Sequence, residues 1–290
     1  MRAARFALLG DPVAHSRSPR MHHAAFEALG LPHTYVAIRA TAAEVDGHVA
    51  ALRAGAYDGL NVTVPHKERA LALADEADPL ARVVGAANTL TRARGGGVRA
   101  FNTDAPAVID ELRGLAPERG ARWSGQTVVV LGAGGAALAA VCAVAELGVG
   151  RVVVRSRRFE QREAAAAFTR DLGGRLEGRV ELLAAPLVAD AGVEARTEAV
   201  IQATSAGQHV GTGEEPVDAV AWGALPASAV ALDLVYGRAP TPFVRAAKSY
   251  SLRVIDGCGV LVGQGARALE LWLGRPVPRE VMARAVAEAR

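Results

Sequence analysis

Residues 127–137 read Thr127-Val128-Val129-Val130-Leu131-Gly132-Ala133-Gly134-Gly135-Ala136-Ala137, and this stretch decides the fold. A short run of β-branched and apolar residues predicts a buried strand. Charge-free sequence continues to Ala145, so Val128 to Ala145 has the length of a marginal membrane span. However, Gly132, Gly134 and Gly135 fall where a strand should turn into a helix, and the run reads as strand, turn and helix of one βαβ unit. The glycines fit G-x-G-x-x-G/A. Gly132 permits the tight turn, Gly134 lets the backbone approach a pyrophosphate, and Ala137 allows close helix–strand packing. The helix N-terminus, at Gly135 and Ala136, offers free N–H groups and a partial positive charge to phosphate.

The next strand, Arg151 to Arg155, fixes which dinucleotide is expected. An acid at its end would bind the ribose hydroxyls of NAD. Here the chain reads Arg155-Ser156-Arg157-Arg158, with no acid before Glu160. Guanidinium groups suit a 2′-phosphate through charge-assisted, often bidentate bonds, which favours NADP.

Working outward, short strands alternate with helices on both sides. Strands are predicted at Phe6–Gly10, Thr34–Ile38, Gly59–Val64, Val180–Leu183, Ala199–Ala203 and Ala229–Leu234. Helices are predicted from Ser18 to Gly30, with Ser18 as N-cap and Pro19 at the first helical position, and over Val45–Ala54, Pro106–Leu115, Gly135–Leu147 and Glu160–Leu172. Helical periodicity then runs from Gly257 to the end. This alternation implies mostly parallel sheets. The expected architecture is α/β with two domains and a cleft between them: a substrate domain of residues 1–104 plus 257–290, and a Rossmann-type dinucleotide-binding domain of residues 105–256.

Composition agrees with such a chain. Its 290 residues allow two domains, and 51% hydrophobic with 22% charged residues excludes a disordered protein. The net charge of +3 is scattered and aromatics are only 4%, which excludes the clustered basic and aromatic surface of a nucleic-acid binder and fits small anionic ligands. Cys142 and Cys258 show no metal-type spacing, so a reducing, cytoplasmic compartment without disulfides is expected. Met1 to Gly10 is too short an apolar run for a leader, and none is expected. The seven histidines suggest no metal; His22 and His23 are adjacent on a helix and diverge.

Only two of the 33 basic residues are lysine, Lys67 and Lys248, and asparagine occurs only at Asn61, Asn88 and Asn102. Such scarcity makes each survivor a candidate for chemistry that arginine or alanine lacks. Arginine stays protonated, whereas lysine can be tuned to exchange protons, which singles out Lys67. Ser16, Ser18, Thr63, Thr103 and Asp104 lie close to these residues in sequence. The plain alternatives are that Ser18, Thr103 or Asp104 caps a helix and that Asn88 serves a turn.

These residues carry a family resemblance. Gly10-Asp11-Pro12-Val13-Ala14-His15-Ser16-Arg17-Ser18-Pro19 is similar to the opening motif of shikimate dehydrogenases, and Asn61-Val62-Thr63-Val64-Pro65-His66-Lys67 resembles their lysine motif. Gly85-Ala86-Ala87-Asn88-Thr89, Asn102-Thr103-Asp104, the Gly132–Ala137 loop, Ala203-Thr204-Ser205-Ala206-Gly207, Asp233-Leu234-Val235-Tyr236 and Gln264-Gly265-Ala266 follow in family order. The resemblance implies reversible, NADP-dependent reduction of 3-dehydroshikimate to shikimate in aromatic amino-acid biosynthesis, in a cytoplasmic monomer or homodimer that binds neither nucleic acid nor membrane. It implies that Ser16 and Ser18 hold the substrate carboxylate. Asn61, Thr63, Lys67, Asn88, Asp104 and Gln264 would contact the ring hydroxyls and reacting oxygen, and Tyr236 would lie near substrate and nicotinamide. Lys67 and Asp104 would be the catalytic pair. Gly132, Ala133, Gly134, Gly135, Ala136, Arg155, Ser156, Arg157, Arg158 and Thr204 would bind the cofactor.

The chain departs from the family pattern at a few points. Arg155-Ser156-Arg157 stands where Asn-Arg-Thr/Ser is usual, Gln202 replaces an asparagine, Gln208 replaces an apolar residue, and Ala105-Pro106 follows Asp104 where glycine is frequent. The alternatives on the same scaffold are a broader quinate/shikimate or aminoshikimate dehydrogenase and a non-catalytic cofactor-binding regulator.

Overall fold

A computed structural model describes residues 2–93, 95–115, 123–204, 216–237 and 239–288. The chain forms two compact units, Met1–Ala107 with Val260–Arg290, and Val108–Gly259.

The first unit is built on six strands, β1 (Arg5–Gly10), β2 (Thr34–Arg39), β3 (Gly59–Val62), β4 (Glu76–Ala77), β5 (Thr89–Arg92) and β6 (Val98–Phe101), in the order β2-β1-β3-β5-β6-β4. β1 is the central strand of a parallel trio, flanked by β2 and β3. Its alternating side chains feed two cores. Ala7 and Leu9 pack with Val45, Val49, Leu52, Leu60 and Leu90, while Phe6 stacks between Phe26 and Trp272. The sheet is mixed rather than mostly parallel, because β5 runs antiparallel to both β3 and β6. β3 also stops two residues earlier than expected. Beyond Val62 the backbone of Thr63 still donates to Leu9 O at 2.8 Å, but the chain then turns through Pro65 into the helix Lys67–Ala72.

Ser18 is not an N-cap. Arg17 occupies that position, Ser18 is the first helical residue, and the Ser18 amide donates to Ser16 Oγ at 3.2 Å.

The second unit holds β7 (Thr127–Leu131), β8 (Arg151–Arg155), β9 (Glu181–Ala185), β10 (Thr197–Gln202), β11 (Val230–Asp233) and β12 (Arg253–Ile255). All pairings are parallel and the order is β12-β11-β10-β7-β8-β9. Numbered from β7, that is the doubly wound 3-2-1-4-5-6 order, whose ligands bind at the carboxyl ends of the strands where the order reverses. The helix Gly135–Glu146 buries every residue from Ala137 to Ala145, so it is apolar all round because it is packed all round. Among the described residues no helix is long and apolar enough to cross a membrane.

Candidate active site

In the first unit the scarce residues converge. Lys67 opens its helix directly after β3, and its Nζ lies 2.7 Å from Asp104 Oδ2, with both side chains largely buried. Asp104 is the first residue of the helix Asp104–Gly114, but it does not cap it. Asn102 does: its Oδ1 accepts from the amides of Asp104 and Ala105, each at 3.1 Å. The Asp104 carboxylate is thereby left for Lys67. A cation at one oxygen is matched by a donor at the other, because Asn88 Nδ2 donates to Asp104 Oδ1 at 2.9 Å.

Asn88 is the hub. Gly85, in the left-handed region at φ 75°, ends the helix Pro79–Val84 and turns the chain towards β5, with Asn88 just before the strand. Besides Asp104, Asn88 Nδ2 reaches Thr103 Oγ1 at 2.9 Å and Gln264 Oε1 at 3.2 Å. Its Oδ1 accepts from the Thr103 amide at 2.8 Å. Lys67, Asp104, Asn88 and Gln264 thus form one polar cluster. Asn61 joins from β3, but with its amide committed: Nδ2 donates to Asn88 O and Thr89 Oγ1, and Oδ1 accepts from Tyr35 Oη. Asn61 therefore holds neighbours in place, with at most one lone pair left for a ligand.

Ser16 lies on the segment between β1 and the first helix and Ser18 opens that helix, Ser18 buried and Ser16 half-buried. Thr63 lies against Gly10; a Cβ at Gly10 would come within 2.3 Å of the Thr63 methyl, so glycine there lets the two segments meet.

The dinucleotide turn belongs to the second unit. Gly132 has φ +114°, and a Cβ on it would stand 2.8 Å from Ala203 O, so only glycine fits. Gly134 is the N-cap of the helix Gly135–Glu146 with no side-chain cap, and the space where its Cβ would stand is open. That open cradle beside uncapped amides fits a pyrophosphate. Thr204 adjoins the turn, its amide donating to Gln202 Oε1 at 2.8 Å. Gln202 thus organises this turn where the family has asparagine. Ser205–Gly207 and Gln208 lie outside the described residues. Tyr236 is half-buried on the segment after β11, which Asp233 pins through the Val235 amide and the Thr241 hydroxyl.

The arginines after β8 divide. Arg155 is not placed to meet a ligand: it is 1% exposed, forked onto the buried Glu194 carboxylate with Nη2–Oε2 at 3.0 Å, and donates to Ala219 O. Arg157 and Arg158 are exposed, and among the described residues neither pairs with a carboxylate. Ser156 Oγ accepts the Arg158 amide at 3.3 Å, which orients the turn that carries them. Sequence reasoning missed Glu194 and Tyr35. Neither falls in a motif, and each acts through a partner distant in sequence.

Among the described residues no group of His, Cys, Asp and Glu could hold a metal ion.

Two family models match. The shikimate dehydrogenase substrate binding domain matches residues 8–90, and the shikimate 5'-dehydrogenase C-terminal domain matches residues 257–287. The NADP(+) shikimate dehydrogenase of Anaeromyxobacter dehalogenans strain 2CP-1 is 43% identical over 295 residues, which cover 100% of this chain and 97% of that protein. The shikimate 5-dehydrogenase of Thermus thermophilus, solved with NADP(H) and shikimate, superposes with a TM-score of 0.81 at 35% identity, over 99% of this chain and 100% of that one. The ligand-free 5-ketofructose reductase of Gluconobacter sp. strain CHM43 superposes with a TM-score of 0.82 at 27% identity, over 99% of both chains. With a relative at 43% identity aligned along its whole length, the chain belongs to the shikimate dehydrogenase family.

Proposed function

We propose that this protein is an NADP-dependent shikimate dehydrogenase that reversibly reduces 3-dehydroshikimate to shikimate. The observation that carries the reading is the Lys67–Asp104 pair, set beside Asn88 and Gln264, in a chain whose full-length relative is named for that reaction. Reduction of a ketone leaves charge on its oxygen, which needs a cation and a proton. The Lys67 ammonium supplies both, ending as the neutral amine once its proton has passed to that oxygen, and Asp104 holds it in place and relays the replacement proton. Run in reverse, neutral Lys67 takes the hydroxyl proton. Asn88, Gln264 and Thr63 recognise the ring hydroxyls, Ser16 and Ser18 hold the carboxylate, and Asn61 keeps Asn88 in register. Tyr236 borders substrate and nicotinamide.

NADPH, when bound, supplies the hydride. The residues that would hold it are the turn Gly132–Ala136 and Thr204 for the pyrophosphate side, with Ser156, Arg157 and Arg158 for the 2′-phosphate. Arg155 is withdrawn from that set by Glu194. The reading gives residues 1–104 with 257–290 the substrate role and 105–256 the cofactor role, in a cytoplasmic monomer or homodimer whose free Cys142 and Cys258 stay reduced.

The test is initial-rate oxidation of NADPH and NADH with 3-dehydroshikimate, with the reverse assay on shikimate and quinate. Turnover restricted to the shikimate pair with NADP(H) is expected. Comparable activity on quinate, which carries an extra hydroxyl at the carboxylate-bearing carbon, would move the protein to the broader branch. The 5-ketofructose reductase likeness adds one control substrate, 5-ketofructose, expected to be inert. NADPH binding without any turnover would overturn the enzymatic reading.

A further inference from the structure

Tyr35 lies in β2, 1% exposed, with its ring stacked on His22 at a centroid separation of 4.0 Å and 7° between planes. Its hydroxyl donates to Asn61 Oδ1 at 2.7 Å. That bond sets the orientation of the Asn61 amide. Asn61 Nδ2 donates to Thr89 Oγ1 at 3.0 Å, and the Thr89 hydroxyl donates to Asn88 Oδ1 at 3.3 Å. Asn88 Nδ2 donates to Asp104 Oδ1 at 2.9 Å, and the other oxygen of Asp104 takes Lys67 Nζ. Every donor from Tyr35 to Asp104 points the same way, so each bond polarises the next. Turning the Asn61 amide over would set its oxygen against the Asn88 carbonyl oxygen, so Tyr35 and Asn88 together admit one orientation.

We infer that Tyr35 is a positioning residue for the reaction: through Asn61, Thr89 and Asn88 it holds the Asp104 rotamer that grips Lys67. The inference rests on the proposed dehydrogenase reading. Tyr35 is too buried to touch substrate, so it acts through the residues it orients, and because the series ends on the Asp104–Lys67 pair its effect is expected chiefly in turnover. Removing the hydroxyl leaves Asn61 Oδ1 buried without its donor and loosens the series at its origin.

The test uses Tyr35→Phe, which keeps the ring and its stack on His22, and Thr89→Val, which breaks the series in the middle. Shikimate oxidation with NADP+ is expected to show kcat lowered about tenfold in each, with KM for shikimate and NADP+ moved less than about twofold. Because the effect passes through Asp104, adding either change to Asp104→Asn should cost no further activity. Wild-type kcat in Tyr35→Phe would overturn the inference. So would a full additional loss on the Asp104→Asn background, which would mark a general structural defect. Should Tyr35→Phe fail to fold, the Thr89→Val and Asp104→Asn cycle alone decides by the same criterion. A wild-type chain without shikimate turnover overturns the dehydrogenase reading and this inference with it. An active wild type with an unaffected Tyr35→Phe overturns the inference alone.

Discussion

Lys67 Nζ and Asp104 Oδ2 stand 2.7 Å apart, with side-chain exposures of 11% and 14%. The pair is largely sheltered from solvent. It exists because Asn102 caps the following helix, which leaves the Asp104 carboxylate free of that duty.

Replacing Lys67 removes the group that takes the hydroxyl proton in oxidation and returns it in reduction, while the residues that bind the carboxylate and ring remain. Lys67→Ala is expected to lower kcat for shikimate oxidation by about 10² to 10⁴, with a smaller change in KM. Lys67→Arg should not restore the rate, since a guanidinium keeps its proton. Steady-state kinetics decide the matter; a large KM effect with kcat intact would make Lys67 a binding residue.

The arginines after β8 predict a split in cofactor recognition. Replacing exposed Arg157 and Arg158 with alanine should raise KM for NADPH by about tenfold or more and leave KM for NADH nearly unchanged, because only NADPH carries the 2′-phosphate. Equal changes for the two cofactors would assign the 2′-phosphate to other groups.

Much of this was legible in the sequence, for a physical reason. The run from β7 through Gly132 to β8 is encoded locally, by apolar periodicity and by a turn that only glycine fits, and its elements stand where the pattern put them. The scarcity of lysine and asparagine likewise marked Lys67 and Asn88. Less legible was whatever depends on distant partners. The antiparallel β5 and the two-residue β4 carry too little periodicity to be seen. Arg155 reads as a phosphate ligand until Glu194, 39 residues away, takes both ends of its guanidinium. Asn61 reads as a ligand-binding amide, and nothing in the sequence shows that Tyr35, 26 residues away, takes one lone pair of its oxygen.

The Arg155–Glu194 pair predicts a stability effect that is separable from catalysis. Glu194 is fully buried and also accepts the Ala221 amide at 3.2 Å. Glu194→Ala leaves a buried guanidinium uncompensated and should cost about 3–5 kcal/mol of unfolding free energy. The double replacement Arg155→Met with Glu194→Leu should lose much less, as both charges go together. Urea denaturation of the three proteins measures this. A double variant as unstable as Glu194→Ala would show that the polar contacts to Ala219 and Ala221 matter more than the charge balance.

His22 predicts a pH dependence of stability. Its imidazole is wholly buried, and burial pushes its pKa down to about 4 from the ordinary 6.5, against the opposing pull of the Ser18 and Gly265 backbone and with a small contribution from His23. Above about pH 6.5 the ring is neutral in folded and unfolded chains alike, and stability is fully present. Between about pH 6.5 and 4 only the unfolded chain takes up the proton, so stability falls as the pH falls, and below about 4 the slope from this group ends. The expected loss is about 2 kcal/mol on going from pH 7 to pH 5. His33, also held below its ordinary value mainly by burial, acts in the same direction, so the wild-type slope alone does not identify His22. The comparison with His22→Phe does, because phenylalanine keeps an aromatic ring against Tyr35 and removes the titrating group. Urea denaturation at the two pH values should show the variant losing about 2 kcal/mol less than the wild type. Equal losses in the two proteins would mean that the folded chain admits the proton at His22, and that its stack on Tyr35 survives a charged ring.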